Sequence, residues 1–143
     1  MFMGQYKHNI DAKGRIIVPA RFRLELGDKV VCTKWFEGSL AIYTSEQFEN
    51  FYQKLVTLPN TMKDTRTYLR TIMANATECE FDSQGRILLS PALIKEGSLD
   101  KACVFVGVGD HVELWSEEAW NNFANDSDPK FEEVAEKLTE YMV

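Results

Sequence analysis

An internal duplication is the feature of this sequence that most restricts its fold. Residues 11–20 read DAKGRIIVPA, and residues 82–92 read DSQGRILLSPA, with one extra residue before the second proline. Two more pairs of similar segments follow in the same order, 26–32 with 99–104 and 40–48 with 112–120. A nearly constant shift that holds over several landmarks is the signature of a repeated structural unit.

The duplication also sets the domain organisation. We predict a first half at residues 1–75, which includes two connecting helices, and a second half at residues 76–143. Each half is too short to bury much apolar surface by itself. The two halves are therefore expected to form one compact body rather than two independent domains.

The hydrophobic pattern predicts the same α+β elements in each half. A short strand runs into a glycine-containing turn, and a second strand follows that a proline terminates. A helical turn, a β-branched strand, a hairpin and a returning strand complete the unit. In the first half the predicted strands are 5–10, 15–18, 29–34 and one ending at Tyr43, with a helix at 20–26. In the second half they are 76–81, 86–89, 102–107 and one ending at Trp115, with a helix at 92–96.

Further helices are predicted outside these strands. Thr44 and Ser116 can each cap a helix that starts after a hairpin, and Thr44 with Gln47 predicts a capping box. Between the two halves we expect one helix at 45–55 and another at 62–74.

The second connecting helix and a C-terminal helix have sequence signals of their own. Thr61 and Asp64 are start signals for the second connecting helix. Near the C-terminus, one helical face carries Phe131, Val134, Ala135, Leu138 and Met142. A lone helix of that length is marginal in water, so we expect its apolar face to pack on another surface.

Two Asp-x-x-x-Arg turns carry the functional interpretation. Their residues are Asp11, Gly14 and Arg15 in the first half and Asp82, Gly85 and Arg86 in the second. The aspartate can accept backbone N–H bonds within the turn, and the glycine can take the positive φ that such a turn needs. The arginine then opens a strand, with a guanidinium suited to phosphate or a guanine edge. For the aspartates we favour a turn-structuring role, whereas bracing and ligand contact both stay open for the arginines.

The distribution of charge bears on the choice of ligand. A net charge of −6 is unusual for a nucleic-acid binder, whose affinity comes largely from neutralising phosphates. The negative excess lies in residues 116–143, where eight acids face two lysines. Residues 1–30 hold six lysines and arginines against three acids. The chain is thus polarised, with a basic N-terminal part that is compatible with DNA.

Other functional classes find little support in the sequence. Three cysteines, Cys32, Cys79 and Cys103, show no Cys-x-x-Cys spacing, and the two histidines add no tight ligand pattern, so we expect ordinary thiols and no metal. No Ser-His-Asp order or phosphate-cradling glycine loop is present, so we predict no enzyme, no cofactor and no small-molecule substrate. Neither a bilayer-spanning run nor a signal peptide is seen, which predicts a cytoplasmic protein without membrane contact.

The paired turns resemble those of the MraZ family. The two motifs lie about 70 residues apart, and each is followed by apolar residues and Pro-Ala. The similarity runs from Met1 to about Trp120 and includes the intervening Lys63-Asp64-Thr-Arg66 segment. The resemblance implies an AbrB-like swapped-hairpin β barrel, formed by duplicated β-α-β half-barrels and flanked by helices.

The resemblance also implies a function. Proteins of this kind are sequence-specific DNA-binding transcriptional regulators, usually repressors of the cell division and cell wall gene cluster. Their partner is double-stranded DNA with direct promoter repeats, and their copies associate into a ring, commonly an octamer. Tethered weak sites gain effective concentration, so such a ring favours repeated DNA elements. We therefore expect a nucleoid-associated protein.

The two halves differ in charge around the shared motif. Lys7, His8 and Lys13 correspond to Glu78, Cys79 and Gln84. We therefore predict that the first half supplies most of the DNA surface, with Arg15 and Lys13 leading. Lys7 and His8 are expected to be neighbouring contacts, and Arg86 to assist.

Two alternatives remain open at this stage. An antitoxin-like or other protein-binding module of the same fold would use an appended segment to hold a partner, although the short helical tail disfavours it. Aromatic residues at strand ends or helical spacing are expected in the core or in subunit contacts, with stacking on unpaired bases as the less favoured role. These aromatic residues are Trp35, Phe48, Phe51, Tyr52, Trp115 and Trp120.

Overall fold

The computed structural model describes residues 1–142 and shows a mixed α and β fold. Its strands are β1 (Phe2–Asn9), β2 (Arg15–Ile17), β3 (Lys29–Lys34), β4 (Leu40–Thr44), β5 (Thr77–Glu80), β6 (Arg86–Leu88), β7 (Ala102–Gly109) and β8 (Val112–Ser116). Its helices are α1 (Ala20–Leu26), α2 (Ser45–Leu55), α3 (Lys63–Asn75), α4 (Pro91–Glu96), α5 (Glu117–Ser127) and α6 (Phe131–Lys137). Short 3₁₀ turns lie at Phe36–Gly38, Asp128–Lys130 and Thr139–Tyr141. The predicted α+β class is confirmed at this level.

The strands form one large and one small antiparallel sheet. The large sheet has six strands in the order β1-β7-β8-β4-β3-β5, and β2 pairs with β6 in a separate ribbon. All recorded strand pairs are antiparallel. The two halves of the duplication therefore contribute equally to both sheets.

Strands of one half pair with strands of the other. The first strand of the first half, β1, pairs with β7 of the second half, from Phe2↔Gly109 to Asn9↔Ala102. Reciprocally, β5 of the second half pairs with β3 of the first half. The β4–β8 and β2–β6 pairs also join the two halves. Each half thus completes its sheet with strands from the other half.

The core lies between the two sheets and the short helices α1 and α4. The ribbon contributes Ile16 and Ile87, which are paired with each other and almost fully buried. Phe22 of α1 and Leu93 of α4 are also buried. Pro19 lies just before α1 and Pro91 is the first residue of α4, so neither strand continues past its proline, which cannot donate to a strand ladder. The repeat therefore places two short helices over one shared core.

The N-terminal strand is longer than the sequence predicts. We expected it to start at Gln5, whereas β1 begins at Phe2. Tyr6 and Phe2 pack edge-on against the buried Phe22 ring, at centroid distances of 5.2 and 5.8 Å. The terminal amine also lies 2.7 Å from Glu25 on α1. These contacts with a helix distant in sequence hold the first residues in the sheet.

The predicted cap of α2 is partly wrong. The Thr44 hydroxyl accepts a hydrogen bond from the Gln47 backbone N–H at 3.0 Å, as expected. A capping box also requires the Gln47 side chain to bond back to the Thr44 backbone N–H. Instead, the Gln47 side-chain oxygen accepts a bond from Asn50 at 3.1 Å. On α5, the Ser116 hydroxyl accepts from the Ala119 N–H, so that predicted cap is confirmed.

Helix α3 begins within one residue of its predicted start and has Asp64 in its first turn, but Thr61 does not cap it. The helix begins at Lys63 with Met62 at the cap position, and no side chain caps it. Arg66 instead donates to the carbonyl oxygens of Asn60 and Thr61, at 3.1 and 3.0 Å. These bonds hold the loop that precedes the helix, while the N–H groups of the first helical turn have no side-chain cap.

The C-terminal helix forms, but its apolar face is exposed. We expected this face to pack on another surface, yet Phe131 is 74% and Leu138 50% exposed in this single chain. Helix α6 makes its main contacts only with the adjoining 3₁₀ turns. None of the helices within residues 1–142 is long and apolar enough to cross a bilayer.

Candidate nucleic-acid interface

The first Asp-x-x-x-Arg turn is closed by its aspartate. One carboxylate oxygen of Asp11 accepts hydrogen bonds from the backbone N–H groups of Lys13 and Arg15, each at 2.9 Å. The other carboxylate oxygen accepts from Arg15 Nε at 2.7 Å. Gly14 takes a φ of +85°, a conformation that L side chains rarely adopt. The turn thereby fixes the direction in which the Arg15 guanidinium leaves β2.

The second turn repeats this geometry in every hydrogen bond. Asp82 accepts from the backbone N–H groups of Gln84 and Arg86 at 2.9 Å and from Arg86 Nε at 2.7 Å. Gly85 has a φ of +77°. The two turns therefore present two arginines in the same local arrangement.

The two aspartates are held in their charged form. The backbone N–H of Arg15 is the main cause that lowers the pKa of Asp11 below its ordinary value, with the Arg15 side chain adding to the effect. Arg86 lowers the pKa of Asp82 in the same way. Both carboxylates are therefore ionised at neutral pH and neutralise part of each arginine's charge.

The β2–β6 ribbon brings the two arginines onto one face. Arg15 pairs with Leu88, and Ile17 pairs with Arg86, while Ile16 and Ile87 point into the core. Because side chains alternate along a strand, Arg15, Ile17, Leu88 and Arg86 share the outer face. Among residues 1–142, the terminal guanidinium nitrogens of both arginines make no hydrogen bond. Each arginine therefore keeps donors available for a ligand.

Each turn also locks onto the opposite half of the molecule. The Gly14 carbonyl accepts from the Leu89 N–H at 2.9 Å, and the Gly85 carbonyl accepts from the Val18 N–H at 3.1 Å. These reciprocal bonds fix both turns at the ends of the ribbon. The two turns and the ribbon form the arginine surface, defined here as Asp11–Ile17 and Asp82–Leu88.

Two further basic residues lie beside the arginine surface, and our sequence analysis did not assign them a role. The Arg23 guanidinium of α1 contacts Gly85 of the opposite turn and donates to the Val18 carbonyl at 2.6 Å. Lys95 of α4 lines a groove of about 1040 Å³ together with Lys13 and Gly14. Arg23 and Lys95 occupy corresponding positions in the two halves. Both positions are basic, and this charge, kept in both halves of the duplication, is the feature of the sequence that could have identified them.

The remaining predicted contacts have different surroundings. Lys13 is exposed and has no side-chain partner within residues 1–142. Lys7 lies on β1 and pairs with Glu117 at 3.6 Å. His8, also on β1, is half-buried, and its ring lies edge-on to Phe105 at 6.2 Å. The structure thus places Lys13 and Arg15 in one turn, and Lys7 and His8 on a strand of the other sheet.

Within residues 1–142, neither the cysteines nor the other potential metal ligands form a metal site beside these turns. In the part of the chain that the structure describes, no cluster of three or more potential ligand side chains is arranged for a metal ion. All three cysteines are free and buried, which confirms the expectation of ordinary thiols. Burial raises the pKa of Cys103 to about 11, so this thiol stays protonated near neutral pH.

The duplication also matches a known family model twice. The model, described as "MraZ protein, putative antitoxin-like", matches residues 1–71 and again residues 72–141. The chain belongs to the MraZ family. These two matches correspond to the two halves that carry the Asp11 and Asp82 turns.

Relatives over the whole length of the chain agree with this assignment. The chain is 49% identical to a protein of Thermoanaerobacter pseudethanolicus over 140 residues, which covers 98% of each chain. It is 46% identical to a protein of Caldanaerobacter subterraneus subsp. tengcongensis over the full length of both. A protein of Ligilactobacillus salivarius is also 46% identical, over 99% of each chain. All three relatives are named "Transcriptional regulator MraZ", and the predicted family is thereby confirmed.

Proposed function

We propose that this protein is a sequence-specific DNA-binding transcriptional regulator that uses the arginine surface to contact duplex DNA. The observation that carries the proposal is the pair of guanidinium groups on one face of the β2–β6 ribbon, with unused donors on both. A two-stranded ribbon fits into the major groove of DNA, and arginine is the usual reader of guanine there. The names of the relatives agree with this role.

The first turn leads the contact in this proposal. Arg15 is 34% exposed against 24% for Arg86, and only the first turn adds a lysine without an intramolecular partner in the described chain. Lys13 and Arg15 can therefore approach phosphate and base edges together. Arg86 assists, while Lys7 and His8 are neighbouring contacts. Because Lys7 must give up Glu117 to reach a phosphate, its contribution should be smaller.

The finer details of the proposal come from the MraZ resemblance. The protein would bind direct repeats in the promoter of the cell division and cell wall gene cluster and repress it, in the cytoplasm and at the nucleoid. Its copies would form a ring, commonly of eight, with each subunit an AbrB-like swapped-hairpin β barrel. The strand exchange between the halves supports that barrel, since each half depends on the other for its edge strand.

Self-association would also explain how a chain with a negative net charge can bind DNA. A single chain carries −6, so one copy gains little from non-specific attraction to DNA. Several copies on one ring present several arginine surfaces at once, and tethering raises their effective concentration on repeated sites. The acidic residues of α5 and α6 would then lie away from the DNA.

Binding to a repeat-containing promoter fragment and to random DNA, measured over a range of salt concentrations, tests the proposal. We expect a preference for the promoter fragment of about a thousandfold or more, as for other specific DNA binders. Stepwise deletion of the repeats should lower the affinity steeply. Equal affinity for both DNAs at every salt concentration would contradict the proposal.

An antitoxin-like or other protein-binding role is the second candidate. The description of the matching family model includes the word antitoxin-like, and the exposed apolar face of α6 is available for a partner. This role predicts that the protein captures one non-self partner in stoichiometric amount. Loss of that capture on replacing Leu138 by lysine would favour it, whereas recovery of the protein with its own copies and DNA alone would not.

A further inference from the structure

All three tryptophans of the chain line a single pocket on the outer face of the large sheet. Its aromatic walls are Trp35, Phe36, Trp115, Trp120 and Phe123, and its volume is about 290 Å³. The Trp120 and Phe123 rings are stacked at 5.5 Å, and Trp115 lies 5.4 Å from Trp120. A hydrogen bond from Trp120 Nε1 to Gln5 at 2.9 Å fixes the orientation of its ring. Aromatic side chains therefore line most of one small space.

Two carboxylates also line this pocket. Glu113 and Glu37 both face it, and the Glu113 side chain is only 18% exposed. Trp115 Nε1 donates to Glu113 at 3.0 Å and holds the carboxylate in place. Neither glutamate forms an ion pair with a lysine or an arginine of residues 1–142. The one basic contact of Glu113 in that range is His111 Nε2, at 3.9 Å.

A largely buried carboxylate is costly unless a cation pairs with it. Indole faces attract cations through their quadrupole, and aromatic cages with nearby carboxylates are known binding sites for organic cations. The pocket therefore combines indole rings with a carboxylate that has no lysine or arginine partner in residues 1–142, and this combination suits an organic cation from outside the chain.

We propose that this pocket is a binding site for an organic cation of the guanidinium or alkylammonium class. The flat guanidinium group stacks on Trp120, since Trp115 is almost fully buried, and its N–H groups donate to Glu113. The pocket accommodates one such head group and a short alkyl stem, for which Val106 and Val108 supply apolar contacts. The source is either a free cation or an arginine side chain from a second copy of the chain.

A titration with methylguanidinium tests the site directly. Because every tryptophan of the chain lines the pocket, the intrinsic fluorescence reports on it. Methylurea is the matched neutral probe, since it has nearly the same shape and no charge, and sodium chloride controls for ionic strength. We expect a saturable change with methylguanidinium, with a dissociation constant in roughly the millimolar range for so small a ligand, and none with methylurea.

A Glu113→Gln variant isolates the charge. Its amide oxygen can still accept the Trp115 bond, so the pocket should keep its shape, and we expect methylguanidinium to bind about tenfold or more weakly. The matched control is Glu118→Gln, which removes the same charge from an exposed position on α5. Absence of a saturable signal, an equal response to methylurea, or equal affinity in the Glu113→Gln variant would each overturn the proposal.

Sedimentation separates the two sources of the cation. If a neighbouring copy supplies an arginine, Glu113→Gln and added methylguanidinium should both weaken self-association. The exposed Arg70, which has no hydrogen-bond partner in the described chain, is the first donor to test, as Arg70→Gln. If the cation is free, the protein should bind methylguanidinium with no change in its association state. The pocket shares no residue with the arginine surface. We therefore expect Arg15→Ala to leave the methylguanidinium titration unchanged, which separates this site from DNA binding.

Discussion

The turn at Asp11 and the turn at Asp82 have the same hydrogen bonds but different surroundings. In both, the aspartate accepts two backbone N–H groups at 2.9 Å and the arginine Nε at 2.7 Å. The first turn contains an exposed lysine where the second contains Gln84. The comparison shows that both halves share the hydrogen-bonded geometry of the motif but differ in the charge beside it. In the function we propose, that charge sets how strongly each copy holds DNA.

The two turns also differ in what packs against their glycines. A Cβ atom on Gly14 would lie 3.1 Å from the backbone carbonyl oxygen of Leu89 and 3.0 Å from Ile94. A Cβ atom on Gly85 would meet the guanidinium of Arg23, which is the movable end of a long side chain. The first turn is therefore buttressed by backbone, and the second by a side chain.

The largest expected effect comes from replacing these glycines by alanine. Both substitutions place a Cβ at positive φ, and we expect each to lower the free energy of unfolding by about 2–3 kcal/mol. In an Arg23→Ala background about 1 kcal/mol of the Gly85→Ala loss should disappear, because the clash with Arg23 is gone. The Gly14→Ala loss should not depend on Arg23. Urea denaturation of the single and double variants measures this, and equal coupling at both glycines would refute the difference in packing.

Exchanging the middle residues of the turns has a smaller effect. Lys13→Gln gives the first turn the sequence chemistry of the second, and Gln84→Lys does the reverse. Both side chains leave the backbone bond to the aspartate in place. We expect Lys13→Gln to lower promoter affinity roughly fivefold and to reduce the magnitude of the salt slope by about 0.9, the value for one phosphate contact. Gln84→Lys should raise affinity by less.

The control for this exchange is Lys54→Gln, which removes an exposed charge from α2. Its salt slope should match that of the unmodified protein. A slope that also stays unchanged in Lys13→Gln would show that Lys13 does not contact phosphate.

The smallest expected effect is the change in stability at low pH that the two aspartates cause. The folded state lowers the pKa of Asp11 and of Asp82 below 3.8, the ordinary value for aspartate. Their contribution to stability is therefore complete above that value and is lost as the pH falls through the lower, folded pKa. We expect Asp11→Asn and Asp82→Asn to be less stable than the unmodified protein near neutral pH by similar amounts. The difference should shrink as the pH falls below about 3.8. Urea denaturation at both pH values measures it, and a difference that grows in acid would contradict the assignment.

Much of the local structure could be predicted from the sequence. The bounds of α1, α2 and β3 agree with the structure residue for residue, because caps, prolines and β-branched runs mark them locally. The early start of β1 could not be predicted, since it depends on contacts of Phe2 and Tyr6 with Phe22, which is distant in sequence. The exposed face of α6 was missed because its spacing requires a partner but does not say where that partner lies.

The candidate sites also differ in how far the sequence could predict them. The Asp11 and Asp82 turns are local, so sequence spacing was enough to single them out. The approach of Arg23 to the opposite turn follows from pairing between the halves, and only the retained charge at Lys95 hinted at it. The tryptophan pocket combines residues from three separate segments. We had expected its three tryptophans in the core or in subunit contacts, because the sequence does not show that Trp35 meets Trp115 and Trp120 around one pocket.

The most direct test of the central claim compares Arg15→Ala with Arg86→Ala in binding to the promoter repeats at controlled salt. Each variant breaks the same 2.7 Å bond to its own aspartate, so the loss of turn stability should be equal and thermal unfolding can confirm that. We predict that Arg15→Ala weakens binding about tenfold to a hundredfold, the range for one arginine contact with a base. Arg86→Ala should cost less than half of that free energy. Equal losses in affinity would contradict the claim that the first turn leads.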